Sequence, residues 1–216
     1  METRLGTRRV KTRPEIIADA AVHALGVGFG LIGGPILIAL VAARGEPGPV
    51  IAVSIYVATL IAMFSFSAIY NLLPVEGAKD WLRRLDHSTI YLKIAGAYTP
   101  FAALSVGGKL GVGLLAGIWA TAGFGIALKL FFPRRFDTLS IFLYLGMGWA
   151  AVMFAGDIAR SIDTSALTLM FVAGGLYSIG VIFHLWERLP FQNAIWHVFV
   201  LSATVTLYGA VVLEFT

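Results

Sequence analysis

The chain has 216 residues, 58% of them hydrophobic and only 13% charged, with a mean hydropathy of +0.85. A soluble domain carries about twice that charged fraction, so a water-soluble fold is excluded and a membrane bundle is expected. The net charge of +4 falls in a few short loops with no aromatic-interleaved basic surface, which excludes nucleic acid as a partner and points to membrane lipids; without cysteine there is no disulfide and no thiolate metal site.

Seven apolar runs follow one another, at 17–43, 50–73, 86–105, 111–132, 138–157, 165–185 and 192–213. Each is long enough to cross about 30 Å of hydrocarbon as a helix. Barrel-type alternation is missing, and an open sheet cannot cross lipid, so the predicted class is all-α: a polytopic seven-helix bundle. The breaks carry turn chemistry or charge: 44–49, Pro74 to Arg84, Gly107-Gly108-Lys109, Pro133-Arg134-Arg135, Asp157 to Asp163, and 186–190. A basic segment (residues 1–15, with Arg4, Arg8, Arg9, Lys11 and Arg13) precedes the first run. That run is far longer than the apolar core of a secretory signal, so it reads as an uncleaved helix. Loops this short leave no room for a second domain, and one membrane domain over 1–216 is expected. Glycines inside the spans, among them Gly26, Gly30, Gly34, Gly111 and Gly180, suit close helix contacts in lipid.

An odd number of spans puts the termini on opposite sides. With the N-terminus inside, twelve Lys and Arg fall on the cytoplasmic side and three, Arg44, Lys109 and Arg160, outside. This bias predicts a cytoplasmic N-terminus and an external C-terminus. The polar residues of the spans then gather at the cytoplasmic end. Asp19 and His23 lie at the start of span 1, Ser67 and Asn71 at the end of span 2, and Asp86 and His87 at the start of span 3. His184 closes span 6, and Asn193 and His197 open span 7. Spans 4 and 5 offer nothing comparable. Asp19-x3-His23, Ser67-x3-Asn71 and Asn193-x3-His197 each put two polar groups on one helix face, where one can orient the other. The set reads as a converging polar cavity; taken singly, such residues also serve as helix-packing hydrogen bonders. Lys93, two turns inside span 3, either snorkels inward or pairs with an acid. Arg83 and Arg84 read as a cytoplasmic anchor, and Tyr98-Thr99-Pro100 as a bend or end of helix.

These residues carry a resemblance. Asp19-x3-His23, Ser67-x3-Asn71, the stretch from Leu85-Asp86-His87-Ser88 through Ala97-Tyr98-Thr99-Pro100-Phe101, and Asn193-Ala-Ile-Trp-His197 are similar to the bacterial haemolysin III family, within the wider progestin and adiponectin receptor (PAQR) family. The resemblance runs from the first helix to the last. It implies a multi-pass protein of the bacterial plasma membrane, a cytoplasmic N-terminus and a zinc ion near the cytoplasmic face. The family's zinc is held by one histidine from a Ser-x3-His on span 2 and two from a His-x3-His on span 7, with the span 3 aspartate holding a water. In the receptor branch this site resembles a ceramidase-like lipid hydrolase.

The sequence departs from that pattern at two zinc positions, which are Asn71 and Asn193; His197, Asp86 and Ser67 match. Imidazole, thiolate and carboxylate build zinc sites, and an amide oxygen is a poor substitute. The leading expectation is therefore a non-enzymatic protein acting in membrane homeostasis or permeability, in line with the lytic activity that names the family. The alternative is a zinc-dependent lipid amide or ester hydrolase with a rewired site: His197 as metal ligand, His23, His87 or His184 with Asp86 or Asp19 as further donors, Asp86 and Ser67 as catalytic groups, and Asp19 and His23 as a polar cluster. A proton or ion conductor is a third reading, opposed by the few ionisable groups in the outer halves of the spans.

Overall fold

The computed structural model describes residues 11–74, 76–132 and 135–216. Arg4, Arg8 and Arg9 of the basic segment, and Pro133 and Arg134 of the fourth break, lie outside the described residues. Seven principal helices follow the seven apolar runs: α1 (Arg13–Ala42), α2 (Pro47–Leu72), α3 (Lys79–Pro100), α4 (Gly108–Phe131), α5 (Asp137–Trp149), α6 (Thr164–Leu185) and α7 (Gln192–Phe215). No strand occurs among the described residues.

Local chemistry explains the boundaries. α1 starts behind Thr12, whose backbone N–H and hydroxyl both donate to Glu15, at 2.7 and 2.9 Å, with Pro14 in the first turn, where its missing N–H costs nothing. Lys79 donates to the Tyr70 and Leu73 carbonyls at the end of α2. α3 begins earlier than its apolar run, because Lys79 to Arg84 are helical as well. Its last α-helical residue is Pro100. The chain then continues as π-helical turns over Phe101–Val106 until Gly107 reverses it at φ +59°. The expected change of path at Tyr98-Thr99-Pro100 is thus a change of helix type. α5 is short and is prolonged by a 3-10 stretch, Ala150–Phe154, and a helical turn, Ala155–Ile158.

Five helices, α1, α2, α4, α6 and α7, are long and apolar enough to span a membrane on composition alone. α3 falls outside that group because it carries Lys79, Asp80, Arg83, Arg84, Asp86 and Lys93, yet it packs between α2 and α4. α2 also lies against α1, α1 against α7, and α7 against α6. Large apolar side chains face outward, such as Ile17, Leu25, Ile32, Phe131 and Ile182, while Asp19, His23, Lys93 and Thr204 are buried. That distribution suits a hydrocarbon solvent, in which apolar groups cost nothing outside and polar groups need partners inside.

Small residues set the helix spacing. Gly26, Gly30 and Gly34 form a four-residue repeat on α1 against Phe64, Leu60 and Val57 of α2, and a Cβ on Gly34 would lie 2.5 Å from Val57. Gly96 of α3 meets Thr59 of α2 still more closely, at 2.0 Å from a hypothetical Cβ to Oγ1. Gly28, Gly113 and Gly117 face open space, so only part of the span glycine serves packing.

Arg83 and Lys129 converge on Asp137 at 3.0 and 2.7 Å, and Arg84 donates to the Leu130 carbonyl at 2.8 Å. The basic residues expected to anchor the cytoplasmic face thereby also tie α3, α4 and α5 together. At the far end Glu214 accepts from the Ser105 hydroxyl at 2.5 Å and from the Asp163 N–H at 2.9 Å. Asp163 caps α6 through the N–H groups of Ser165 and Ala166, which hold its carboxyl below the usual range.

Candidate functional site

α1 and α7 build the centre of the polar end. Glu15, Asp19 and His23 recur every fourth residue of α1, so they share a face, and all three are buried. Glu15 fixes the register of the two helices by accepting the Phe191 N–H at 2.7 Å. Phe191 is the left-handed residue (φ 58°) that starts α7.

One turn further in, Asp19 Oδ1 lies 2.6 Å from His197 Nδ1 and 3.6 Å from His23 Nε2. Asp19 Oδ2 accepts from Lys11 Nζ at 3.2 Å. The two imidazoles stand 4.3 Å apart, centroid to centroid. His23 Nε2 is buried and makes no hydrogen bond among the described residues. Asp19, His23 and His197 each present a ligand atom, and these atoms lie within 4.8 Å of one another.

The family's zinc positions form a second group beside the first. Asn193 Nδ2 donates to Asn71 Oδ1 at 3.1 Å, and Asn71 Nδ2 donates to the Ser67 carbonyl at 3.0 Å. The two amides thus close on each other across α2 and α7. The carboxyl of Asp86 on α3 faces the Ser67 hydroxyl and lies within electrostatic reach of His197.

All four histidines border one cavity of about 330 Å³, together with Ser67 and Asp86. His23 and His197 touch, whereas His87 and His184 stand elsewhere on the wall. His184 packs its ring on Trp196 at 4.9 Å, and the His87 carbonyl accepts from Tyr144 at 2.9 Å. From there the cavity runs between α3, α5 and α6 into apolar surroundings that include Met63, Ile94, Leu167 and Met170. α5, which carries no ionisable group comparable to the others, still supplies Tyr144 and Trp149 to the wall.

Of the residues singled out from sequence, Asp19, His23 and His197 meet directly, Asn71 and Asn193 meet directly, and Ser67 and Asp86 adjoin them. Lys93 takes neither expected course. It is buried, donates to the Tyr177 hydroxyl on α6, and stands over that ring at 4.3 Å. Glu15 and Lys11 were not singled out as site residues. Glu15 was legible in the Glu15-x3-Asp19-x3-His23 repeat, whereas nothing in the spacing marks Lys11.

The donor sets decide what each group can hold. Asn71 Oδ1 already accepts from Asn193, and two amides with one imidazole are weak company for zinc, so the family's zinc set does not fit this chain. One carboxylate and two imidazoles at Asp19, His23 and His197 do fit a divalent cation, being the three-ligand set that leaves a coordination position open.

A seven-helix bundle with apolar outer faces and a buried carboxylate–imidazole centre defines a polytopic membrane protein. The family model described as haemolysin-III related matches residues 15–208, and the chain belongs to that family. It is 36% identical over 200 residues to the hemolysin-3 homolog of Bacillus subtilis (strain 168), covering 93% of this chain and 94% of the relative. It is 37% identical over 205 residues to hemolysin-3 of Bacillus cereus, covering 95% and 94%. A more distant likeness, 28% identity over 165 residues, joins it to the human monocyte to macrophage differentiation factor, covering 73% of this chain and 67% of that protein. No solved structure matches the chain significantly.

Proposed function

We propose that this haemolysin III protein acts in membrane homeostasis or permeability by holding a lipid, and does not hydrolyse it through the family's zinc set. Its place is the bacterial plasma membrane, with the Asp19–His197 end toward the cytoplasm. The observation that carries this reading is the cavity. Its walls are mostly apolar, with polar groups such as Ser67, Asp86, His87 and His197 set among them, and such a cavity suits an apolar chain whose polar end is fixed by a few side chains. Hydrolysis through the inherited site is disfavoured by the closed Asn71–Asn193 pair. Conduction is disfavoured because Leu37, Val53, Leu60 and Val211 belong to one buried apolar cluster, and the outer halves of the spans hold few ionisable groups.

Mass spectrometry of the detergent-purified protein tests the reading. A retained lipid is expected, and Ala173→Leu, which fills the cavity wall, should lower its amount. A wild type that retains no lipid above the Ala173→Leu background overturns it.

A second reading has its own support in Asp19, His23 and His197. A divalent transition metal bound there would supply Lewis-acid chemistry, with Asp86 and Ser67 placed to orient a water. Elemental analysis separates the readings. A metal near one per chain, lost in His23→Ala and His197→Ala, together with lipid turnover lost in Asp86→Asn, favours the hydrolase.

A further inference from the structure

The buried amine of Lys93 stands apart from the Asp19 centre. Lys93 follows Asp86 by seven residues on α3, about 10 Å along the helix axis, so the two side chains sit at different depths. Its surroundings are α6 and α7. Tyr177 of α6 accepts one N–H, and the Tyr177 hydroxyl shares a hydrogen bond of 2.6 Å with Thr204 of α7. Lys93 is 3% exposed and Thr204 fully buried. An ammonium has three donors, and no carboxylate among the described residues pairs with this one.

A cation buried among membrane helices without a carboxylate is costly, which is why such residues mark binding sites in membrane proteins. Lys93 and Tyr177 also line the apolar cavity. An anion can reach them only attached to something apolar. The cavity volume is that of a small-ligand pocket, with room for one chain and not for a two-chain phospholipid.

We propose that Lys93 and Tyr177 form an anion subsite deep in the cavity, which takes the carboxylate of a single-chain fatty acid. The carboxylate accepts from the two remaining Lys93 donors, and Thr204 holds the Tyr177 hydroxyl toward them. Charge-assisted hydrogen bonds of this kind are roughly twice as strong as neutral ones, and the apolar walls exclude competing water. The subsite rests on the lipid-holding reading but names a ligand class and an orientation: carboxylate inward, chain along the cavity.

The test uses the full-length protein in detergent and a fatty acid brominated at mid-chain, beside its methyl ester. Bromine quenches tryptophan fluorescence at short range, and Trp149 and Trp196 line the cavity. The acid is expected to quench wild type at about tenfold lower concentration than the ester, equivalent to about 1.4 kcal/mol. Lys93→Met should abolish that preference, so that acid and ester quench at about the same concentration. Should Lys93→Met not fold, Lys93→Gln removes the charge, keeps a donor for Tyr177, and should give the same loss. Equal quenching by acid and ester in wild type, or a preference that survives both substitutions, overturns the subsite alone. Quenching by neither compound overturns the lipid-holding reading and the subsite with it.

Discussion

Two polar groups sit side by side at one end of the bundle and have opposite characters. At the family's zinc positions, Asn193 donates to Asn71 and Asn71 to the Ser67 carbonyl, so both the oxygen and the nitrogen of the Asn71 amide are spent within the bundle. Next to them, Asp19, His23 and His197 are close but not mutually satisfied: one carboxylate oxygen serves two imidazoles unequally, at 2.6 and 3.6 Å, and His23 Nε2 makes no hydrogen bond among the described residues. The first group behaves as helix packing and the second as a site. The contrast teaches that matching family positions and having the family's chemistry are separate matters. Two neutral amides remove the donors, while α1 brings a different set to the same histidine of α7.

The comparison can be broken most forcefully by restoring the histidines. Asn71→His with Asn193→His is expected to bind zinc at about one per chain by elemental analysis, since three imidazoles then stand at the inherited positions. Failure to bind more metal than wild type would mean that the backbone, too, has left the zinc geometry. Asp19→Ala comes next. It deprives Lys11 and both histidines of their shared carboxylate in a buried setting, and should lower stability by about 3 kcal/mol in thermal unfolding. Asn193→Ala removes one amide of the packing pair and should cost about 1 kcal/mol in the same assay. No loss of stability in Asn193→Ala would remove the packing role from that pair.

The smallest effect belongs to the far end, where Asp163 caps α6. Its carboxyl is held below 3.8 by helix N–H groups, so its contribution is present above that pH and fades as the pH falls through the lowered value. Asp163→Asn should flatten this acid-side loss slightly and leave unfolding at neutral pH nearly unchanged. A marked change at neutral pH would show that the far end matters as much as the site.

Helix periodicity made much of this legible. The seven apolar runs correspond to seven helices, and four-residue spacing puts Asp19 and His23 on one face, where they lie 3.6 Å apart; Asn193 and His197 share a face too, but bond to different helices, Asn193 to Asn71 of α2 and His197 to Asp19 of α1. Spacing within a helix cannot say which helix stands opposite. That is why Lys93 was expected to seek water or an acid, whereas its partner is Tyr177, 84 residues later in the chain. Hydropathy misleads for α3, where the charges that disqualify it as a span are neutralised or buried by neighbours: Arg83 by Asp137 and Lys93 by Tyr177. Glu15 lies in the basic flank, where an acid reads as part of the helix start, and its bond to Phe191 exists only in three dimensions.

That bond has a consequence for biogenesis. Glu15 and Asp19 belong to α1, which leaves the ribosome well before α7 with their partners Phe191 and His197. During synthesis, α1 therefore carries its acids on local partners alone, Thr12 for Glu15 and Lys11 and His23 for Asp19, while α2 to α6 are made. The centre is assembled in a single closing event when α7 arrives. A nascent chain stalled before residue 191 holds the acids without those partners, a mark by which membrane quality control can tell an unfinished molecule from a finished one.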